Sequence, residues 1–200
     1  MSLGKVRIIG GYWRGRYIKV IDQAGLRPTA DRVRETLFNW LGQQLDGKHC
    51  LDMFSGTGVI GLEALSRGAA HVTMIEFSRS VQLALKKNLE SLGNRDDLGR
   101  VDLVLADAIQ YTSRIPDKSL DICFIDPPFS NDALFSKSLQ QAVRVTKNDV
   151  GSAIYVEHPK AISPEVLLES CPNGNFWKIG RTIRSGLATG TLLVPKNEVN

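Results

Sequence analysis

LDMFSGTGVIG, residues 51–61, decides how this chain is read. It begins as an apolar strand, turns through Gly56 and Gly58, and continues into a helix-like run, GVIGLEALSRG (58–68), that ends on glycine. Gly56, Gly58 and Gly61 match the G-x-G-x-x-G spacing, in which glycines allow a tight turn and a close approach of backbone to ligand. Glu76 follows 20 residues after Gly56, at the end of the strand-like HVTMIE (71–76). A carboxylate there can accept hydrogen bonds from ribose hydroxyls. The loop suits any adenosine-bearing ligand, a nicotinamide dinucleotide included, and a strand-to-helix turn without a ligand has the same spacing.

Outward from this loop, strand-like and helix-like stretches alternate. Strands are expected at 49–54, 71–76, 101–107, 120–126 and 152–157. Helices are expected at 58–68, 78–93, 131–145 and 163–170, with a short helical piece after 107. Residues 176–183 and 188–195 read as an antiparallel pair. Such alternation implies crossover units on a mostly parallel sheet, an α/β fold. Ahead of it, VRII and RYIKVI flank the turn residues GGYWRG, a hairpin over 5–21. Thr29 is a candidate cap for a helix in which Val33, Leu37, Trp40/Leu41 and Leu45 recur to Gly47. The chain divides into a hairpin extension, residues 1–26, and an α/β domain, residues 27–200.

Two hundred residues, 42% apolar and 23% charged, fit one globular domain. No apolar run approaches the ~20 residues of a membrane helix, and the first residues lack the apolar core of a secretory signal. Cys50, Cys123 and Cys171 show no paired or metal-ligand spacing, which points to reduced thiols in a cytoplasmic protein. His49, His71 and His158 form no cluster, so no metal is expected. Residues 1–36 carry eight Lys/Arg against three Asp/Glu, +5, which leaves −1 for the rest of a chain of net charge +4. Either a polyanion meets this segment or it is a solvated basic face. Trp13 in the hairpin turn is a stacking residue or a packing one. Trp40 belongs to the apolar face of the first helix, and Cys123 to a buried strand.

Three further carboxylates favour S-adenosylmethionine over a dinucleotide. Asp52 sits at the end of the first parallel strand, where it can serve the cationic methionyl end of that ligand. Asp107 closes the third strand and can bond the adenine amine. The fourth strand ends in Asp126-Pro127-Pro128-Phe129. All lie at strand carboxyl ends, where open α/β sheets bind ligands. The two prolines cannot extend a strand, because neither has an N–H to donate. They stiffen the loop and fix the Pro127 carbonyl beside the Asp126 carboxylate. Those two acceptors suit an exocyclic amine, and Phe129 can stack on its ring for roughly 1–3 kcal/mol. Acceptors on both amine hydrogens aim the nitrogen lone pair at a methyl group and stabilise the charge that develops there.

These residues, in the order RIIGGYWRGR, LRPTADRVRETLFNWL, LDMFSGTG, LEALSRGA, Glu76, Asp107-Ala108 and FIDPPF, resemble the bacterial 16S ribosomal RNA guanine-N2 methyltransferases over about residues 5–160. The resemblance implies a seven-stranded class I methyltransferase fold of Rossmann-like type, with an N-terminal β-hairpin extension. By resemblance Asp52, Gly56, Gly58, Glu76 and Asp107 hold S-adenosylmethionine, and Arg27, Pro28 and Thr29 close the pocket. Asp126, Pro127 and Phe129 hold the target base, and the substrate is a guanine in 16S rRNA of the small ribosomal subunit or its assembly intermediate. The enzyme is expected to be a cytoplasmic monomer that uses neither metal nor membrane. Arg7, Arg14, Arg16, Lys19 and Arg32 are the candidate phosphate contacts. The DPPF motif also occurs in adenine-N6 DNA methyltransferases and in protein glutamine methyltransferases, so it does not choose the substrate alone.

Overall fold

The computed structural model describes residues 2–21, 29–93, 98–128 and 131–196. The chain opens with an antiparallel hairpin, β1 (Ser2–Arg7) and β2 (Tyr17–Ile21), followed by α1 (Asp31–Trp40). Strands and helices then alternate: β3 (His49–Asp52), α2 (Val59–Ser66), β4 (His71–Glu76), α3 (Arg79–Leu92), β5 (Arg100–Leu105), α4 (Ala108–Thr112), β6 (Ile122–Ile125), α5 (Asp132–Val145), β7 (Ala153–Pro159), α6 (Pro164–Ser170), β8 (Trp177–Ser185) and β9 (Ala188–Pro195). The last seven strands form one sheet in the order β5-β4-β3-β6-β7-β9-β8. β5, β4, β3, β6 and β7 pair in parallel, and β9 runs antiparallel to both β7 and β8. This is the seven-stranded class I methyltransferase sheet with its N-terminal hairpin. The chain builds outward from β3 through β4 and β5, then returns to the other side of β3 with β6. The topological switch therefore lies between β3 and β6, and ligand crevices form there.

β6 is buried along its whole length because helices cover both faces of the sheet. α2 is buried on every side. One side rests on the sheet, and the N-terminal hairpin covers the other, with Val6, Ile8, Trp13, Ile18 and Val20 in the same core cluster as Leu62, Ala64 and Leu65. The glycine spacing has a packing reason here. A Cβ on Gly61 would stand 2.7 Å from the Met74 sulfur, and one on Gly58 2.1 Å from a Leu85 methyl, at a φ of 77°. Trp13 is buried, so it packs and is closed to RNA. Cys50, Cys123 and Cys171 are buried free thiols. No helix among the described residues is long and apolar enough to cross a membrane.

Polar contacts fasten the hairpin, among them those made by Glu63, Asn88 and Arg16. Glu63 on α2 is fully buried and accepts from Ile9 N (2.5 Å), Gly10 N (3.2 Å), Arg34 Nη1 (3.0 Å) and Arg67 Nε (3.3 Å). Burial pushes this carboxyl above its ordinary range, and the Ile9 N–H bond and the Arg34 and Arg67 guanidiniums pull the other way. The Asn88 side chain on α3 bonds Lys19 N and O at 2.9 and 2.8 Å, replacing a strand partner at the hairpin's edge. The Arg16 guanidinium donates to the carbonyls of Leu92 and Ser91, capping α3.

α1 departs from expectation at both ends. Its N-cap is Ala30, without a side-chain cap bond. It stops at Trp40 rather than running to Gly47, because Gly42 takes a φ of 89° and Gln43 N returns to the Phe38 carbonyl at 2.8 Å. Leu45 is buried from the following loop, and Trp40 is only half-buried against the core.

Glu63→Ala should destabilise the fold by about 3–5 kcal/mol, because it removes the acceptor of two backbone N–H groups and leaves the buried Arg34 guanidinium, still bonded to Asp31 and the Arg7 carbonyl, without its only buried counter-charge among the described residues. Urea unfolding, followed by circular dichroism, gives the change directly from the midpoint and slope.

Candidate active site at the carboxyl edge of the sheet

The strands deliver four carboxyl groups to one edge, astride the switch point: Asp52 from β3, Glu76 from β4, Asp126 after β6 and Glu157 from β7. Asp52 is buried, and its Oδ2 accepts from Gly61 N at 3.2 Å, which ties β3 to the first turn of α2. Desolvation and the neighbouring Glu76 push its carboxyl up to about 7, against bonds from Gly61 and Phe54 N–H. Glu76 accepts from Gly56 N (3.0 Å) and Ser78 N (2.7 Å), so it braces the glycine loop from below. Each of its oxygens keeps a further lone pair for a ligand. Asp107 caps α4 by accepting from Gln110 N at 2.8 Å, and it is only half-buried.

Asp126 follows the buried β6, Pro127 is buried behind it and Pro128 is exposed. The Pro128 carbonyl accepts from Asn131 N, and Asn131 in turn caps α5 through Leu134 N at 2.9 Å. The loop is thus anchored at both ends. Burial raises the Asp126 carboxyl well above its usual range, and Glu157 and Asp52 raise it further. Glu157 is the acid that sequence reading left unassigned. Ile125 pairs with Val156, so Glu157 comes next to Asp126 across the parallel ladder. Its carboxyl is raised by burial, while hydrogen bonds from Tyr155 and Thr29 oppose the shift. The Tyr155 hydroxyl reaches Glu157 Oε1 at 3.1 Å. Gly190 on β9 makes room for it, since a Cβ there would stand 2.3 Å from that hydroxyl. The signal was present in the sequence: an acid at the carboxyl end of an apolar parallel strand, the rule that selected Asp52, Glu76 and Asp126.

Thr29 therefore stands at this edge as a hydrogen-bond donor to Glu157, not as a helix cap. Arg27, Pro28 and Phe129 lie outside the described residues. Gly56 and Gly58 form the turn above Glu76. His158 is buried and bridges Pro159 O and the Thr191 hydroxyl. Burial holds the imidazole below its ordinary range, and it serves the β7–β9 contact. Among the described residues no group of three His, Cys, Asp or Glu is placed to hold a metal.

The basic residues of the N-terminal segment divide. α2 and α3 run from the carboxyl edge of the sheet to its amino edge, and the hairpin turn is bonded to their far ends. Tyr12 N meets Ser66 O at 2.7 Å, and Arg16 meets Leu92 O. α3 has 14 residues, so Arg14 and Arg16 stand roughly 20 Å below the carboxylates at 1.5 Å per residue. Arg16 is occupied by α3. Arg7 faces Asp31 at 3.9 Å, and Arg34 is buried in an ion pair. Arg14, Lys19 and Arg32 are exposed.

Comparisons with known proteins agree with this architecture. A family model described as conserved hypothetical protein 95 matches residues 6–180. Ribosomal RNA small subunit methyltransferase D of Escherichia coli is 48% identical over 131 residues, 66% of this chain and 64% of that protein, so the match spans just under two thirds of its length. The protein of the same name from Haemophilus influenzae is 39% identical over 169 residues, 81% of this chain and 84% of that protein. The solved structure of the putative methyltransferase yhhF from Escherichia coli superposes with a TM-score of 0.76 at 37% identity, covering 98% of this chain and all of that one.

Asp52→Asn tests the electrostatic state of the edge. A carboxyl held at about 7 in the folded state and near 3.8 in the unfolded one binds its proton more tightly when folded. Wild-type stability therefore falls as pH rises from about 4 to 7, and the cost persists above 7. Asn carries no charge and escapes this cost. The variant should match wild type at pH 4 and gain up to roughly 4 kcal/mol over it at pH 8, read from thermal or urea midpoints at both pH values.

Proposed function

The chain belongs to the conserved hypothetical protein 95 family, and on that premise we propose that it methylates the exocyclic N2 amine of a guanine in 16S rRNA, with S-adenosylmethionine as donor. One observation carries the reading: Asp52, Glu76, Asp126 and Glu157 converge at the switch point beside a proline-stiffened loop, and no cationic side chain pairs with them among the described residues. Like charges buried together are unfavourable alone and favourable around a cation. The fit to S-adenosylmethionine rests on that chemistry. Asp52 is suited to its cationic end, Glu76 to its ribose and Asp107 to its adenine. The names of the Escherichia coli and Haemophilus influenzae relatives support small-subunit rRNA as the substrate.

When bound, S-adenosylmethionine supplies an electrophilic methyl group. The chain's own residues do the rest. Asp126 and the Pro127 carbonyl accept the two amine hydrogens and hold the nitrogen lone pair toward the methyl. As the nitrogen becomes positive, the Asp126–Glu157 pair supplies compensating negative charge in a low-dielectric crevice. The surplus proton then passes to this pair, whose raised affinity for a proton makes it a ready acceptor. Thr29 and Tyr155 orient Glu157 for that step.

Radiolabelled S-adenosylmethionine added to unmethylated small subunits, followed by digestion to nucleosides, should yield N2-methylguanosine. Asp126→Ala should reduce transfer at least a hundredfold with cofactor affinity within about twofold, and Asp126→Asn should retain part of the activity by keeping an acceptor. Glu76→Ala should weaken cofactor binding by calorimetry. Tight NAD binding without a response to S-adenosylhomocysteine would remove the methyltransferase reading.

Cofactor affinity should also depend on pH. Below about 7 Asp52 must lose a proton to meet a cation, so affinity rises from pH 6 to pH 8 and levels off. Asp52→Asn should flatten this profile in titrations at the two pH values.

A further inference from the structure

A second basic surface stands where the N-terminal hairpin does not reach. From Cys171 to Lys196 the sequence has four basic residues, Lys178, Arg181, Arg184 and Lys196, and no acid. That +4 equals the net charge of the whole chain. Most of it lies on the β8–β9 hairpin, largely beyond the residues 6–180 that the family model matches. β8 is the edge strand of the sheet, and the irregular register between Ile179 and Arg181 turns its outer half. Arg181 and Arg184 are exposed, and among the described residues neither guanidinium has a hydrogen-bond or ion-pair partner.

The position of the hairpin tip gives this charge its meaning. β9 runs against β7, with Glu157 opposite Gly190 and Pro159 opposite Ala188. The turn at Ser185–Ala188 therefore projects from the carboxyl edge of the sheet, the edge that carries Asp126 and Glu157. It begins two residues beyond Glu157, about 7 Å higher, and stands two to three strand spacings, roughly 10–14 Å, to the side of β6. Leu187 at its apex is 84% exposed. A shallow recess beside the DPPF loop is lined by Pro127, Pro128, Phe135, Pro159 and Ile162, and also by the acidic Asp132. The hairpin is held firmly: Thr191 takes the His158 bond and Gly190 packs on Tyr155.

We infer that the β8–β9 hairpin is an RNA-backbone contact that holds the strand flanking the target guanine over the reaction edge, Arg181 and Arg184 meeting phosphates and Leu187 meeting an unstacked base or ribose. This rests on the RNA methyltransferase reading and adds to it the surface that positions the substrate. A base must leave its stack to reach a carboxylate crevice, so its neighbours need a rigid, cationic rim at the crevice mouth. Arg14 and Arg16 stand at the other end of α2 and α3 and cannot be that rim. Arg184 stands level with His158, just beyond Glu157, and Arg181 lower on the same strand, level with Tyr155, so the pair follows a backbone running down from the pocket; such contacts supply affinity and register, while the pocket supplies base identity.

The test is Arg181→Ala/Arg184→Ala, with Leu187→Ser as a separate variant, assayed on unmethylated small ribosomal subunits over a salt series. The double variant should raise KM about tenfold, with the loss in KM rather than kcat. It should lower the slope of log affinity against log salt by about 1.4–1.8, two phosphate contacts' worth. Leu187→Ser should raise KM and leave the salt slope in place, because its contact is apolar. S-adenosylhomocysteine binding and the thermal midpoint check that the fold is unchanged. If wild type methylates subunits and the double variant matches its KM and salt slope, the hairpin is a solvated edge and the inference is overturned. If wild type methylates neither subunits nor extracted rRNA, the RNA reading fails first and takes the hairpin role with it.

Discussion

The rest of the structure depends on one buried carboxylate, Glu63. It lies in the middle of α2, the helix that begins at the glycine loop, and it accepts from Arg34, Arg67 and the backbone of Ile9 and Gly10. Through these bonds the hairpin becomes the outer cover of α2, which explains how a helix this apolar can be buried on both sides. Arg34 also binds the Thr29 carbonyl, the Arg7 carbonyl and Asp31. The start of α1 is thereby fixed, and Thr29 is delivered to Glu157. A buried ion pair of this kind specifies an arrangement more than it adds stability, because desolvation offsets much of the attraction.

The carboxyl edge has the opposite logic. Burial raises the proton affinity of Asp52, Asp126 and Glu157; Glu76 adds to the shift at Asp52, and Glu157 and Asp52 add to it at Asp126, with no paired cation among the described residues. The sheet holds this repulsion in place: each carboxyl sits at the end of a buried strand that cannot shift without losing its ladder. Under the function proposed above, this cost is offset when a positively charged ligand binds.

The two hairpins divide the basic surface between them. The N-terminal one is chiefly structural near its turn, with Trp13 buried, Arg16 capping α3 and Asn88 closing its edge. Its Arg14 and Lys19 are exposed, and Arg14 stands at the far end of α2 and α3 from the carboxyl edge. The C-terminal hairpin stands beside the crevice. On the proposed function, a substrate as large as a ribosomal subunit offers phosphates along that whole length.

By itself the sequence determined the fold class and most of the edge. Local signals sufficed for this: glycine spacing at Gly56, Gly58 and Gly61, alternation of apolar strands and helices, and acids at strand ends at Asp52, Glu76, Asp107 and Asp126. These features are legible because each is imposed within a few residues by backbone sterics or by the rule that parallel strands bind ligands at their carboxyl ends. Tertiary structure alone decided the rest. Arg34 in DRVRE looks like any surface arginine until Glu63 and the Arg7 carbonyl close around it. Trp13 reads equally as a stacking or a packing residue, and Arg16 as a phosphate contact, until α2 buries the first and the last carbonyls of α3 engage the second. Glu157 comes beside Asp126 only when β7 pairs with β6, and the β8–β9 turn reaches the carboxyl edge only because β9 reverses direction. Side chains far apart in the chain acquire a role from which strands become neighbours and which end of the sheet they reach, and no local pattern encodes that adjacency.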